Sequence, residues 1–148
     1  MQNNKSNYRL VARMKGHRLM INAEVRDELA RLYDRRIDAI QRYERDRNKR
    51  AHRLSIECER KGDFLWETGA MAAAMRAYIE AMACALDGEY YDWERTQLPA
   101  YALCLRAREL RGKVLRCAAS DPRLAEILKA DRTFRLFREE PEWRAIYG

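Results

Sequence analysis

Apolar residues recur along most of this chain at three- and four-residue steps, and the runs are separated by short breaks at Gly, Pro, Asp or Asn, a pattern that predicts amphipathic helices. The clearest run opens at Asn22, a good N-cap. Glu24, Asp27 and Glu28 lie near the positive helix start, and Val25, Leu29, Leu32, Ile40 and Tyr43 follow at helical spacing. YERDRNKRAHR, residues 43–53, has no apolar period of its own, and Asn48 is the expected break. Residues 54–88 predict two helices, one ending near Thr68 and Gly69 and the other near Asp87 and Gly88, because Gly favours the left-handed position just past a helix end. A third long helix is expected over 92–119, with Pro99 in its first turn and Leu103, Ala107, Leu110, Val114 and Cys117 stepping by 4, 3, 4 and 3. From Ser120 the pattern shortens. Ser120 or Asp121 caps before Pro122, and Leu124, Ile127, Leu128, Phe134, Leu136, Phe137, Trp143 and Ile146 are expected to fold 120–148 back over the core as capping helices.

Residues 1–21 are less regular. YRLVARMKGHRLMI, residues 8–21, reads either as a small hairpin turning at Lys15-Gly16 or as a loosely docked arm. The expected architecture is therefore all-α: a short antiparallel helical stack of five to seven helices forming a single domain over 22–148, preceded by that hairpin or arm. A chain of 148 residues is long enough to bury a core without disulfides or metals, and only six Gly and three Pro interrupt it.

Charge changes the picture in one respect. The net charge is +7, and residues 1–55 hold 15 of the 30 Lys and Arg but only 7 of the 23 Asp and Glu. Within this third, Arg31, Arg35, Arg42, Arg45, Lys49 and Arg53 recur at helical spacing, so an unbroken helix would present six cations in one line, able to neutralise nucleic-acid phosphates. Asp27, Asp34, Asp38, Glu44 and Asp46 are interleaved with them, and a solvated face of ordinary ion pairs is the commoner outcome of such a pattern. The opening MQNNKSNYRL lacks the apolar core of a signal peptide, and no window approaches a membrane span, so the expectation is a cytoplasmic protein without membrane contact.

Residues 55–88 carry the most specific pattern. Gly62, Leu65, Gly69, Met71, Ala74, Tyr78 and Ala81 resemble a tetratricopeptide repeat, a 34-residue helix-turn-helix unit with small residues where its paired helices touch. Gly62 matches the first-helix glycine, Gly69 the interhelical turn, Ala74 and Ala81 the buried alanines, and Tyr78 the aromatic between them. The chain departs from the family at Cys58 and Met71, where aromatics are usual, at Lys61, where Leu is usual, and at Leu86, where Pro is frequent. One repeat further on, Arg108, Gly112 and Leu115 fall where the small and aromatic residues should be, so the neighbouring unit is degenerate. The resemblance implies a non-enzymatic scaffold that binds another protein in a groove lined by the first helix of each pair. On that basis Ile56, Glu59, Asp63, Trp66 and Glu67 face the groove, with Tyr90, Tyr91 and Trp93 close by. Against this stands the ordinary role of large aromatics in small helical domains, which is to fill core.

The residues of a catalytic or metal centre were sought and not found. His17 and His52 have no Cys, Asp or Glu at a recognised motif spacing, and no HExxH, CxxC or phosphate-cradling loop occurs. Cys58, Cys84, Cys104 and Cys117 are spaced as reduced, core-packing thiols, and Cys104 falls in phase with the apolar Leu103. No catalytic residue, metal or cofactor is expected, and the two partner classes left open are a protein and, through the basic third, a nucleic acid.

Overall fold

A computed structural model describes residues 13–15, 18–20, 22–96 and 105–131, with side-chain detail within 22–87 and 106–131. Two short strands, β1 (Arg13–Lys15) and β2 (Arg18–Met20), pair antiparallel with Arg13 opposite Met20 and Lys15 opposite Arg18. Of the hairpin and the docked arm left open for this segment, the pairing is that of the hairpin, with Lys15 inside its first strand. Among the described residues five helices follow: α1 (Ala23–Tyr43), α2 (Arg47–Glu67), α3 (Met71–Thr96), α4 (Leu105–Ser120) and α5 (Pro122–Lys129). They form a packed all-α stack in which sequence neighbours are spatial neighbours.

Local chemistry sets the helix limits. Asn22 Oδ1 accepts from the Glu24 amide at 2.7 Å and starts α1 as predicted. The break after α1 comes at 44–46 and not at Asn48, because Asp46 is the N-cap: its carboxylate accepts from the Lys49 amide at 2.9 Å, which places Asn48 inside the first turn of α2. Helix α2 stops at Glu67. Thr68 turns its hydroxyl back to the Phe64 carbonyl at 2.9 Å, and Gly69 takes φ +86°, the left-handed geometry that an L side chain disfavours. The predicted end of α3 at Gly88 is not observed, and the helix runs on to Thr96; Ala is the best helix former and one Gly costs only about 1 kcal/mol. Helix α4 is described from Leu105, and Pro99, Leu103 and Cys104 lie outside the described residues. Asp121 caps α5 with Pro122 at its first position; the remaining capping residues, 132–148, lie outside the described part.

The core sits between α2, α3 and α4. Ala74, Met75, Tyr78, Ala81, Met82 and Ala85 of α3 are sealed from solvent, as are Ala107, Leu110, Val114 and Cys117 of α4, while α5 contributes Leu124 and Leu128. Helix α2 runs antiparallel to α3 and adds Cys58 and Leu65, with Gly62 so close to α3 that an added Cβ would stand 2.6 Å from the Tyr78 ring. Helix α1 lies on the outer side of α2 and is more thinly held. Tyr33 stacks on Phe64 at 5.8 Å between ring centroids, Asp34 accepts from Lys61 at 2.6 Å, and Ile40 is buried. The apolar face predicted for α1 is therefore only partly covered. Leu32 is 45% exposed and Tyr43 78% exposed.

Candidate functional site

The conspicuous polar feature is a row of side chains where α2 meets α4. These two helices run parallel, so residues of α2 meet partners about 50 positions later, in ascending order. Ser55 Oγ donates to the Ala81 carbonyl of α3 at 2.8 Å and accepts from Arg106 Nε at 3.0 Å. Glu59 accepts from Arg106 and Lys113, each at 2.9 Å. Asp63 accepts from Lys113 at 2.8 Å and from the Tyr78 hydroxyl at 2.5 Å. At the far end the Arg116 guanidinium lies 4.1 Å from the centre of the Trp66 ring, within cation–π range.

Helical periodicity explains the row. Glu59, Asp63 and Trp66 are four and three residues apart on one face of α2, and Arg106, Lys113 and Arg116 are seven and three apart on one face of α4. The electrostatics match. Burial pushes the Glu59 carboxyl up, but hydrogen bonds from Lys113 and Arg106 outweigh it and hold the group below its ordinary value. Burial likewise disfavours the Lys113 ammonium, and its bonds to Asp63 and Glu59 reverse that and raise it. Tyr78 is pushed upward first by burial and then by donating to the Asp63 carboxylate. The row is not sealed, however: Glu59 keeps 21% of its side-chain exposure, Lys113 30% and Asp63 42%.

Of the residues singled out in the sequence, Glu59, Asp63 and Trp66 are brought together here, while Glu67 and Ile56 are exposed on α2 outside the row. Tyr90, Tyr91 and Trp93 fall within α3, but their side chains lie outside the described detail. Sequence reasoning missed Ser55, Arg106, Lys113 and Arg116. The basic stripe on α4 was readable from its spacing, but nothing in the sequence said that α4 would lie along α2.

The basic residues take a different arrangement from the single line an unbroken helix would give. The break at 44–46 puts Arg31, Arg35 and Arg42 on α1 and Lys49 and Arg53 on the antiparallel α2, with Arg45 in the link. Arg42 pairs with Asp38 at 3.2 Å and Arg53 with Glu44 at 3.0 Å, whereas Arg31, Arg35, Arg45 and Lys49 are exposed and have no ion-pair partner among the described residues. Tyr43 stands exposed beside this cluster and does not enter the core as its phase predicts.

Among the described residues no group of three or more His, Cys, Asp and Glu could hold a metal ion, and no helix is long and apolar enough to cross a membrane. No protein-family model matches the chain, and neither a curated protein nor a solved structure matches it.

Proposed function

We propose that this chain is a tetratricopeptide-like, non-enzymatic interaction module, an adaptor-like accessory protein that recognises a protein partner along the face shared by α2 and α4. The observation that carries the proposal is the half-open row itself. Its rim offers a Trp capped by an Arg, the residue types enriched where binding energy concentrates, and its charges lie at the surface and are not locked inside. Support for the repeat-like character comes from the unit over 55–88, where Gly62, Ala74, Tyr78 and Ala81 are buried at the seam of an antiparallel pair and Gly69 makes the turn. The parallel course of α2 and α4 is what successive first helices of such units adopt. The non-enzymatic assignment rests on the sequence, where neither histidine has a partner at a catalytic spacing. A cytoplasmic setting fits the free thiols of Cys58, Cys84 and Cys117.

The partner surface is expected to carry a carboxylate. The row holds three cations against two carboxylates, and Arg116 faces an aromatic ring in place of an acid. Affinity capture from the native cell, with and without nuclease, tests the proposal. A protein retained after nuclease by the wild type and lost with both Trp66→Ala and Arg116→Glu, each still helical by circular dichroism, supports it. Capture that both variants leave unchanged refutes the assigned face.

A second reading is favoured by Arg31, Arg35, Arg45 and Lys49, which are exposed and have no ion-pair partner among the described residues. Under it, Arg31, Arg35, Arg45 and Lys49 contact nucleic-acid phosphates, and binding to mixed-sequence RNA or DNA weakens steeply with salt. Charge reversal at Arg45 and Lys49 abolishes such binding if the reading holds, and undetectable binding at low salt removes it.

A further inference from the structure

A cavity of about 310 Å³ lies between the C-terminal half of α1 and the first half of α2. Helical spacing builds both walls. Arg36, Ala39, Ile40 and Tyr43 recur at three- and four-residue intervals on one face of α1, and Arg53 and Glu57 stand one turn apart on α2. The charges in these walls are unequally satisfied. Glu44, where the chain leaves α1, holds Arg53 at 3.0 Å, so these two neutralise each other. Glu57 is only 9% exposed; its Oε1 accepts from Arg60 at 2.8 Å, while its buried Oε2 has no hydrogen-bond partner among the described residues. Arg36 is exposed on the opposite wall, where its guanidinium lies 5.9 Å from the centre of the Tyr33 ring and pairs with no carboxylate among the described residues. Buried acceptors in folded proteins are nearly always paired, so an acceptor left over on a residue that lines a cavity is a place for a ligand's donor.

We propose that this cavity binds a small zwitterion, a free α-amino acid with an apolar or aromatic side chain. The ligand's ammonium donates to Glu57 Oε2, its carboxylate accepts from Arg36, and its side chain lies against Ala39, Ile40 and the Tyr43 ring. Charge decides the class. A simple anion is drawn to Arg36 but repelled by Glu57, and a simple amine is drawn to Glu57 but repelled by Arg36, so a ligand carrying both signs is the one that satisfies both walls. Size narrows it further. At about 310 Å³ the cavity stands at the low end of small-molecule sites, which run from about 300 to 1,000 Å³, and it suits one amino acid better than a run of peptide. The site also gives a use to Tyr43, which has the phase of a core residue yet is 78% exposed where it lines this cavity. Because the cavity lies between α2 and α1, whereas Glu59 and Asp63 meet α4, the inference does not rest on the proposed protein-binding face.

The test is isothermal titration calorimetry of the full chain. L-phenylalanine is set against phenethylamine, which lacks the carboxylate, and hydrocinnamate, which lacks the ammonium; L-leucine is set against isopentylamine and isocaproate in the same way. Expected is saturable binding of at least one of the two amino acids with a Kd of about 1 mM or tighter, within reach of so small a ligand. Each truncated ligand should bind roughly 10- to 100-fold more weakly, the worth of one hydrogen bond to a charged group. Glu57→Gln should weaken the amino acid by the same factor as loss of its ammonium, and Arg36→Gln by the same factor as loss of its carboxylate. Both variants are checked for native helicity by circular dichroism, and Arg36, being exposed, keeps the test open should Glu57→Gln disturb the fold. Backbone amide shifts on adding the ligand should centre on residues 36–44 and 53–57. The proposal is overturned if neither amino acid binds saturably at millimolar concentration, if the amide shifts are confined to other elements, or if the folded variants bind as the wild type does. A truncated ligand that binds as tightly as its parent amino acid overturns the zwitterion.

Discussion

Gly62 and Gly112 are both helical glycines, and replacing each by Ala separates packing from propensity by sign alone. Propensity makes the same forecast for both, a gain of about 1 kcal/mol, since Ala restricts the unfolded chain and suits a helix. At Gly112 an added Cβ meets nothing within 4 Å, so the gain should be realised in full. At Gly62 the Cβ would stand 2.6 Å from Tyr78 Cε1 and 2.7 Å from Cδ1, about 1 Å inside the carbon–carbon optimum. The ring has little room to yield. Tyr78 is fully buried, and its hydroxyl is tied to Asp63 at 2.5 Å, a charge-assisted bond that pivoting would break.

Overpacking of this kind costs about 1–3 kcal/mol, and a fixed aromatic neighbour puts Gly62 in the upper half of that range. Subtracting the propensity gain leaves a net loss of about 1–2 kcal/mol, or a fall in melting temperature of roughly 2–8 °C for a chain of this size. Gly112→Ala should instead melt roughly 2–4 °C higher. Thermal melts by circular dichroism, repeated as urea titrations with an unchanged m-value, measure both. In Tyr78→Phe the ring is released from Asp63, so the cost of Gly62→Ala should shrink, with a coupling of about 0.5 kcal/mol or more. A Gly62→Ala protein as stable as the wild type, or more so, would falsify the close approach of α2 and α3 on which the description of the core depends.

Ala81→Leu or Ala74→Leu inserts bulk into fully buried positions and should cost about 1–3 kcal/mol; unchanged melting in both variants would count against the seam. Gly69→Ala must hold an L residue at φ +86° and should lose about 1–2 kcal/mol by urea titration, with nothing nearby to clash and confuse the result. Glu59 is held below its ordinary value of 4.5, so below that pH the unfolded chain binds more protons than the native state. Stability should therefore fall as pH drops below 4.5 toward the folded value, and Glu59→Gln should flatten that part of the profile; an acid limb of equal slope in the variant would exclude Glu59 as a contributor. Ser55→Ala removes the bond to the Ala81 carbonyl and the acceptor for Arg106, at a cost of about 1 kcal/mol, and a double-mutant cycle with Arg106→Ala should show coupling rather than additivity.

The helices were legible where a single local rule governed them. Asn22 and Asp121 cap where their side chains can accept the free amides, Gly69 turns where positive φ is needed, and Leu110, Val114 and Cys117 are buried in the phase their spacing requires. Sequence reasoning failed where two local rules competed or where tertiary neighbours decided. Asp46 and Asn48 are both capable caps two residues apart, and Asp46 won through its bond to the Lys49 amide. Leu32 and Tyr43 have the phase of core residues but are left exposed in the folded chain, which a one-dimensional pattern cannot reveal. The candidate face was half legible for the same reason. Glu59, Asp63 and Trp66 stood out on α2, whereas the partners that turn them into a site arrive from α4 and depend on a parallel alignment across some 50 residues.

That alignment does not depend on the charges. Partly exposed ion pairs contribute about 0–1 kcal/mol each, and these keep between a fifth and two fifths of their side-chain exposure. Burying the side chains of Leu110, Val114 and Cys117 is worth more, at roughly 1.5–3 kcal/mol for each large aliphatic residue, so the apolar side of α4 fixes the helix and the row of charges adds little to its hold. The consequence bears on recognition. Lys113 divides its ammonium between Glu59 and Asp63, and Arg116 rests on a ring, so a partner's carboxylate can take over one of these contacts without loosening the core. Exchange at the row is therefore cheap, while exchange at the α2–α3 seam, where Gly62 and Tyr78 are in close contact and Ser55 is bonded to the Ala81 carbonyl, is not. If the face shared by α2 and α4 is the recognition surface proposed above, it is backed by a rigid pair and faced with weak, replaceable ion pairs, an arrangement in which binding specificity and fold stability can be tuned separately.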